Sequence, residues 1–333
     1  MPYVWTLAEQ SNGRLREVSF ELLSRGRKLA DKLETKLCSL LLAGNVSDEA
    51  LRELIARGAD EVYVVDDPRL NKFVVETHSN VLADLIRRYK PHTILAAATS
   101  TGRTLMPHVA IKVTAGLTAD CTELDIEEGT RLLLQTRPAI GGNIMATIKS
   151  PNHWPQMATV RPKSSKPLPL DSTRQGHITR ITMLDEHYDD RVKVLGLRPY
   201  EEGLAGIEEA DVVVAGGKGM KKAENFGLLR ELARQLGGAI GGTRDAVDRG
   251  WLTYPHQIGL SGKTISPKLY VCAGVSGSIQ HLAGIKTSEC IVAINQDPDA
   301  NIFQVADFGI VGNLFEVVPL LNAKLENCKK EGK

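Results

Sequence analysis

The sequence predicts an α/β protein of two domains, each built on a mainly parallel sheet flanked by helices. Three observations predict it. Short apolar runs alternate with stretches of helical periodicity as far as Val113. From about Asp120 the text breaks into short runs separated by Gly, Pro and Asn. A fresh alternation then starts at Asp211. Strands separated by helices point to parallel sheets covered on both faces. A chain of 333 residues has room for two domains of ordinary size.

The elements follow in order. YVWTLA (Tyr3–Ala8) reads as a strand, and the leucine spacing of Val18–Glu34 as a helix. LCSLLLA (Leu37–Ala43) is a strand ending in Gly44. Asp48–Arg57 is a helix stopped by Gly58. EVYVV (Glu61–Val65) is a strand closed by DDP, Phe73–Tyr89 has helical spacing, and HTILAAA (His92–Ala98) is a strand. TGRTLMPHVAIKV continues as a helix with Thr101 or Gly102 near its cap. CTELDIE, RLLLQTR, NIMATIK and QMATVRP then read as antiparallel strands added to that sheet.

The stretch from Val192 through YEEGLAGIEEA is charged and carries Pro199, Gly203 and Gly206. It is the expected linker, residues 191–208, between an N-terminal domain of residues 1–190 and a C-terminal domain of residues 209–333. DVVVAGG (Asp211–Gly217) is a buried strand running into glycines. Glu224–Leu236 is an amphipathic helix stopped by Gly237-Gly238. LYVCAG, CIVAIN and a final helix over Leu314–Glu326 complete the second unit.

Lys+Arg 41 against Asp+Glu 40 gives a net charge of +1, which argues against a dedicated nucleic-acid surface. No apolar run reaches the roughly 18 residues of a membrane span. MPYVWTLAEQ has neither the basic nor the apolar segment of a secretory signal, so a cytoplasmic location is expected. The five cysteines, Cys38, Cys121, Cys272, Cys290 and Cys328, form no CxxC pair, and no metal site is expected.

Ligands of open parallel sheets collect outside the carboxyl ends of the strands, and three such ends carry unusual chemistry. AGGKGMKKAENF (Ala215–Phe226) offers glycines for close backbone approach and Lys218 for a phosphate, but GGxG is not GxGxxG, and a tight turn with a solvated lysine fits equally. In VSGSIQHLAG (Val275–Gly284), Ser276 and Gly277 lie between a strand and a helix whose first N–H groups would favour an anion. His281 reads either as a core histidine or as a group aimed at a ligand. Asn295, which closes CIVAIN just past the strand end, suits a ribose or adenine edge, or a turn before DPD. Between these ends, Gly241–Pro267 holds Thr243-Arg244 and a second glycine-rich loop, QIGLSGK, with Ser261.

LYVCAGVSGSIQHLAGIKTSECIVAIN (Leu269–Asn295) resembles the signature of the electron transfer flavoprotein alpha subunit. The likeness extends over GGKGMKKAENFGLLRELARQLGGAIGGTRDAVDRGW, QIGLSGKTISPKLY and INQDPDANIFQVADFGIVGNLFEVVP. It is looser in the first half, through PHTILAAATSTGRTLMPHVAIKVTAGLTADCTEL.

The resemblance implies an alpha–beta heterodimer, with FAD in a Rossmann-like C-terminal domain and an N-terminal domain packed on the beta subunit. It implies Arg244 over the flavin ring, Ser261 near N5 and His281 at O2. Gln257 and the backbone of Ile258, Gly259, Leu260 and Ser261 would line the ring and ribityl chain. Ser276, Gly277, Ser278, Ile279 and Gln280 would cradle the phosphates. Asn295 and Asn313 would face the AMP part, with Lys218 and Thr243 also in the site. Implied partners are an acyl-CoA dehydrogenase or another flavin dehydrogenase, and the implied activity is that of a redox carrier, as in fatty acid β-oxidation.

The familiar form of the family has Arg in place of Lys218, and many members have Gln for Leu260 and Asp for Asn313. A lysine keeps the charge but loses the planar fork. HQIGLSGK resembles members from anaerobes, some of which bifurcate electrons from NADH to ferredoxin and a high-potential acceptor. Two other readings stand beside this one. A nicotinamide-dependent dehydrogenase would need GxGxxG and a following acidic residue, which the chain lacks. A non-redox adenine-nucleotide scaffold would bind no flavin.

Overall fold

The structure is a computed structural model describing residues 3–11, 13–139, 144–196, 206–208 and 210–331. It divides into two compact units, Met1–Leu197 and Arg198–Lys333. Half of the expected linker, Pro199 and Gly203 included, lies outside the described residues, as does Asn143 of NIMATIK.

In the first unit, β1 (Val4–Ala8), α1 (Glu17–Lys32), β2 (Leu37–Ala43), α2 (Asp48–Ala56), β3 (Glu61–Asp66), α3 (Val75–Tyr89), β4 (Thr93–Ala97) and α4 (Ser100–Val113) alternate as expected. β5 (Gly116–Cys121), β6 (Glu123–Ile126), β7 (Leu133–Ala139), β8 (Ile144–Ile148), β9 (Gln156–Val160) and β10 (His177–Arg180) follow. The main sheet has the order β10-β3-β2-β1-β4-β9-β5, with every neighbouring pair parallel. Apolar clusters cover its two faces, one including Leu23 and Leu41 and the other Trp5 and Leu82.

Three expectations are corrected here. QMATV does not form an antiparallel strand: as β9 it lies parallel between β4 and β5, with all five residues buried. β6, β7 and β8 do pair antiparallel, but in a separate three-stranded sheet. The cap of α4 is neither Thr101 nor Gly102 but Thr99, whose hydroxyl accepts from Gly102 N at 3.1 Å. That bond satisfies one of the orphan donors of the first turn.

The second unit comprises β11 (Val212–Gly216), α5 (Phe226–Leu236), β12 (Ala239–Gly242), α6 (Arg244–Asp248), β13 (Leu269–Ala273), α7 (Ile279–Leu282), β14 (Ile291–Asn295), β15 (Phe308–Val311) and α8 (Leu314–Glu331). Gly237 ends α5 at φ +66°, a left-handed position that glycine takes without steric cost. The five strands are parallel in the order β12-β11-β13-β14-β15. The chain goes from β11 to β12 on one side and then to β13 on the other. The strand order therefore reverses between β11 and β13, and a crevice opens beyond their carboxyl ends, at Gly216 and Ala273.

Candidate cofactor cleft

Two loops meet at that reversal, backbone against backbone. Gly217 N donates to Ala273 O at 3.1 Å and Gly219 N to Gly274 O at 3.0 Å. A Cβ on Gly219 would lie 2.6 Å from Gly274 Cα, so the crossing admits no side chain. Beyond the crossing lies a cleft of about 940 Å³, at the upper end of the range for small-molecule sites.

The cleft brings together Lys218, Thr243, Arg244, Ile258, Gly259, Leu260, Ser261, Ser276, Gly277, Ser278, Gln280, His281 and Asn295. These residues come from five separate segments of the second unit, and all were expected in one site. Gln257, Ile279 and Asn313 were expected too but do not line it. Gln257 is buried and acts through a neighbour: its Nε2 donates to Ser261 Oγ at 3.1 Å. Having accepted that bond, the Ser261 hydroxyl keeps its proton for an acceptor in the cleft. Ile279 opens α7 with its side chain exposed. Asn313 precedes α8, where its Oδ1 accepts from Phe315 N at 3.1 Å and its Nδ2 donates to Glu316 at 2.8 Å. This is helix capping rather than a contact with the cleft.

The segment after VSGS also differs from expectation. α7 spans four residues, its N-cap is Ser278, and no side chain caps it. A helix of one turn sums few peptide dipoles, so the anion-holding argument from a helix N-terminus does not apply here. What the loop offers instead are hydroxyls and backbone. Ser276, Ser278 and Gln280 stand exposed, while Ser276 O accepts from Ile302 N at 3.1 Å and holds the loop in place.

His281 is 4 % exposed, and both ring nitrogens are bonded inside the protein. Nδ1 lies 3.2 Å from Ile258 O and Nε2 lies 2.8 Å from the Tyr270 hydroxyl. Burial, opposed by the bond to Ile258, pushes the imidazole down to about 4, so the ring is neutral at pH 7. A carbonyl only accepts, so Nδ1 carries the proton and Nε2 is the acceptor. In this arrangement His281 has no proton to give to a flavin O2, and the core-histidine reading describes its bonds. Asn295 combines both of its readings. It lines the cleft while its Nδ2 donates to Val275 O at 2.8 Å and its Oδ1 accepts from Asp297 N at 3.1 Å.

Lys221, Asp245, Asp248 and Asp297 also line the cleft and were not singled out in the sequence. Lys221 has φ +65°, unusual outside glycine, and its Nζ sits 5.4 Å from the centroid of the Phe315 ring. Its signal was the lysine run after GGKGM. Arg244 is exposed at the rim, and its one ion pair among the described residues is a 3.3 Å contact to the exposed Asp248. Surface pairs of this kind contribute little, so the guanidinium is available to a ligand. Among the described residues Thr243 Oγ1 is buried without a hydrogen-bond partner, and Thr243 belongs to the cleft wall. An orphaned buried hydroxyl is costly unless a ligand completes it.

Residues 4–186 match the electron transfer flavoprotein domain, and residues 206–286 match the electron transfer flavoprotein FAD-binding domain. The chain belongs to the electron transfer flavoprotein family. It is 47% identical over 326 residues to the electron transfer flavoprotein subunit alpha of Thermoanaerobacterium thermosaccharolyticum, covering 98% of each chain. It is 44% identical to the subunit of the same name from Megasphaera elsdenii, covering 98% of this chain and 97% of that one. It is 40% identical to the lactate dehydrogenase (NAD(+),ferredoxin) subunit LctC of Acetobacterium woodii, over 94% of this chain and 74% of the relative.

The match to the FAD-binding domain spans the loops that build most of the cleft. The residues present fit such a cofactor. The glycine crossing admits a close approach, two lysines stand near it, and the orphaned Thr243 hydroxyl lacks the partner a bound ligand would give. Among the described residues no helix is long and apolar enough to cross a membrane, and no cluster of His, Cys, Asp and Glu could hold a metal ion.

Proposed function

We propose that the chain is the FAD-carrying alpha subunit of an electron transfer flavoprotein. Its first unit packs on a beta subunit, and the pair accepts electrons from a flavin dehydrogenase of the acyl-CoA type, or from NADH, and delivers them to a downstream acceptor. The observation that carries this reading is the coincidence of the family's FAD-binding region with the crevice at the strand-order reversal. The proposed place of work is the cytoplasm.

FAD supplies the redox chemistry when bound, and the protein supplies orientation and electrostatics. Lys218, Lys221, Ser276, Ser278 and Gln280 are the groups that would hold its pyrophosphate. Gly277 and the Ile258–Ser261 backbone would border it, with Asn295 toward the adenosine half. Thr243, Arg244 and Ser261 would meet the ring, where a cation stabilises the negative charge that reduction places there. The Ser261 hydroxyl, set as a donor by Gln257, would serve an accepting ring nitrogen.

A second reading is electron bifurcation. It is favoured by the similarity to the lactate dehydrogenase (NAD(+),ferredoxin) subunit and by the HQIGLSGK wording. Co-purification with the beta subunit tests both readings. A yellow heterodimer that releases FAD and is reduced by an acyl-CoA dehydrogenase with its substrate, or by NADH, is expected. A colourless heterodimer that takes up no FAD would overturn the proposal. A second flavin per heterodimer, with NADH-driven ferredoxin reduction that requires a high-potential acceptor, would select the bifurcating form.

A further inference from the structure

The bonds around His281 form a chain that no part of the cofactor reading uses. Tyr270, on β13, is completely buried and its hydroxyl lies 2.8 Å from His281 Nε2. His281 Nδ1 in turn meets Ile258 O at 3.2 Å. Ile258 opens the loop that carries Leu260 and Ser261 into the cleft. A second bond, from Leu260 N to Gln280 O at 2.8 Å, closes the same loop onto α7.

The proton inventory has one solution. Ile258 O cannot donate, so Nδ1–H does, which leaves Nε2 bare, and the single phenolic proton of Tyr270 goes to it. A doubly protonated ring would leave the phenol proton unmatched in a buried site.

We propose that Tyr270 is a positioning residue of the cofactor cleft: its phenol fixes His281 as the neutral Nδ1–H tautomer and, through it, holds the Ile258–Ser261 loop in place. The inference rests on the FAD reading only for its redox consequence. His281 then presents a neutral ring at the cleft wall, and the cationic charge near the flavin comes from Arg244.

The titratable and charged groups on the surrounding elements are few. β13 carries Tyr270, whose phenol burial raises, and Cys272, whose thiol burial pushes up to about 12. Lys263 on the loop pairs with Glu208 at 3.0 Å. Lys286 follows α7, and α6 carries Arg244, Asp245 and Asp248 at the cleft. Neither Tyr270 nor Cys272 ionises between about pH 5.5 and pH 8, the range in which an ordinary histidine titrates.

The test uses the full chain with its beta subunit and histidine ring nitrogens labelled with 15N. The His281 signals are assigned by their loss in His281→Gln. The expected result is a protonated Nδ1 and a bare, hydrogen-bonded Nε2, unchanged between about pH 5.5 and pH 8. In Tyr270→Phe the Nε2 signal moves to the position of a nitrogen without a donor and the ring protonates at higher pH. The flavin potential of that variant gains a break in its pH dependence.

Cys272→Ala, which trims the same buried strand without touching His281, leaves the tautomer and the pH profile as they were. A wild-type ring protonated on Nε2, or charged in this range, overturns the proposal. So does a Tyr270→Phe spectrum identical to the wild type. The ring measurement needs no flavin, so a colourless complex would sink the FAD reading and leave this result standing.

Discussion

Gly277→Ala is the sharpest probe of the cleft. Gly277 has φ +83°, a region that costs an L-residue about 1 kcal/mol or more. An alanine Cβ there would lie 2.3 Å from Ile302 N, 2.7 Å from Ile302 Cα and 2.8 Å from Asn301 C. All three are backbone atoms and cannot rotate away, so the loop must move. Movement breaks the 3.1 Å bond from Ile302 N to Ser276 O. Ile302 is fully buried, and an unsatisfied buried N–H costs about 1–3 kcal/mol.

Together these terms give a loss of about 2–4 kcal/mol, concentrated where Ser276 and Ser278 face the cleft. Urea unfolding of the heterodimer, with flavin release followed in parallel, measures it. The expected variant unfolds earlier and sheds FAD before it unfolds. Gly227→Ala is the matched control. Its Cβ would meet nothing within 4 Å and it lies in α5, so a gain of about 0.5–1 kcal/mol is expected. A Gly277→Ala protein that keeps its flavin and unfolds with the wild type would refute the reasoning.

Arg244→Ala should weaken FAD binding by roughly ten- to a hundredfold, the worth of a hydrogen bond to a charged group, or lower the flavin potential; unchanged affinity and potential would remove Arg244 from the ring site. Ser261→Ala and Gln257→Leu should shift the potential in the same direction and by less than the sum of their separate effects when combined, because one orients the other at 3.1 Å; additive shifts would deny the coupling. Glu21 is held by burial at about 7 against an ordinary 4.5. Its folded form therefore prefers the proton, and the associated stability is complete below about pH 4.5 and lost as pH rises through about 7, up to about 3 kcal/mol. Glu21→Gln should unfold later than the wild type at pH 8 and with it at pH 4.5, and equal midpoints at both pH values would contradict this.

The strands were legible where apolar runs ended in glycine or a turn, as in LCSLLLA and DVVVAGG. β9 was misread because its apolar run says only that both faces are buried. Its parallel partners, β4 and β5, are fixed by tertiary placement. At the cleft, the segments that assemble were visible as glycine-rich strand ends, since close backbone crossing requires that residue. The roles inside them were not. Nothing in the local text says that Tyr270, eleven positions away, takes the free nitrogen of His281. Nor does it say that Gln257 turns inward to Ser261, or that Asn313 caps α8.

The first unit explains why the cofactor belongs to the second. Its sheet also reverses strand order, between β1 and β4, so physics offers a crevice there too. That crevice opens beside the first turn of α4, a helix of 14 residues. The chain fills the position with its own anion. Glu9, 7 % exposed, accepts from the Thr99 hydroxyl at 2.6 Å and pairs with Arg16 at 2.7 Å. The carboxylate lies at the end of the strand beside that first turn, where an anion is favoured, and Arg16 pairs with it; Glu9 is buried while Arg16 is 28% exposed, so removing Arg16 would strand a buried charge. The space left is about 100 Å³, below the usual range for a small-molecule site and about a ninth of the cleft in the second unit. There the cleft holds glycine, hydroxyls and lysines, and the carboxylates that line it, Asp245, Asp248 and Asp297, come from α6 and the turn after β14 rather than from the ends of β11 and β13. The same topology is thus narrowed by a buried Glu9 in one unit and left open beyond a glycine crossing in the other.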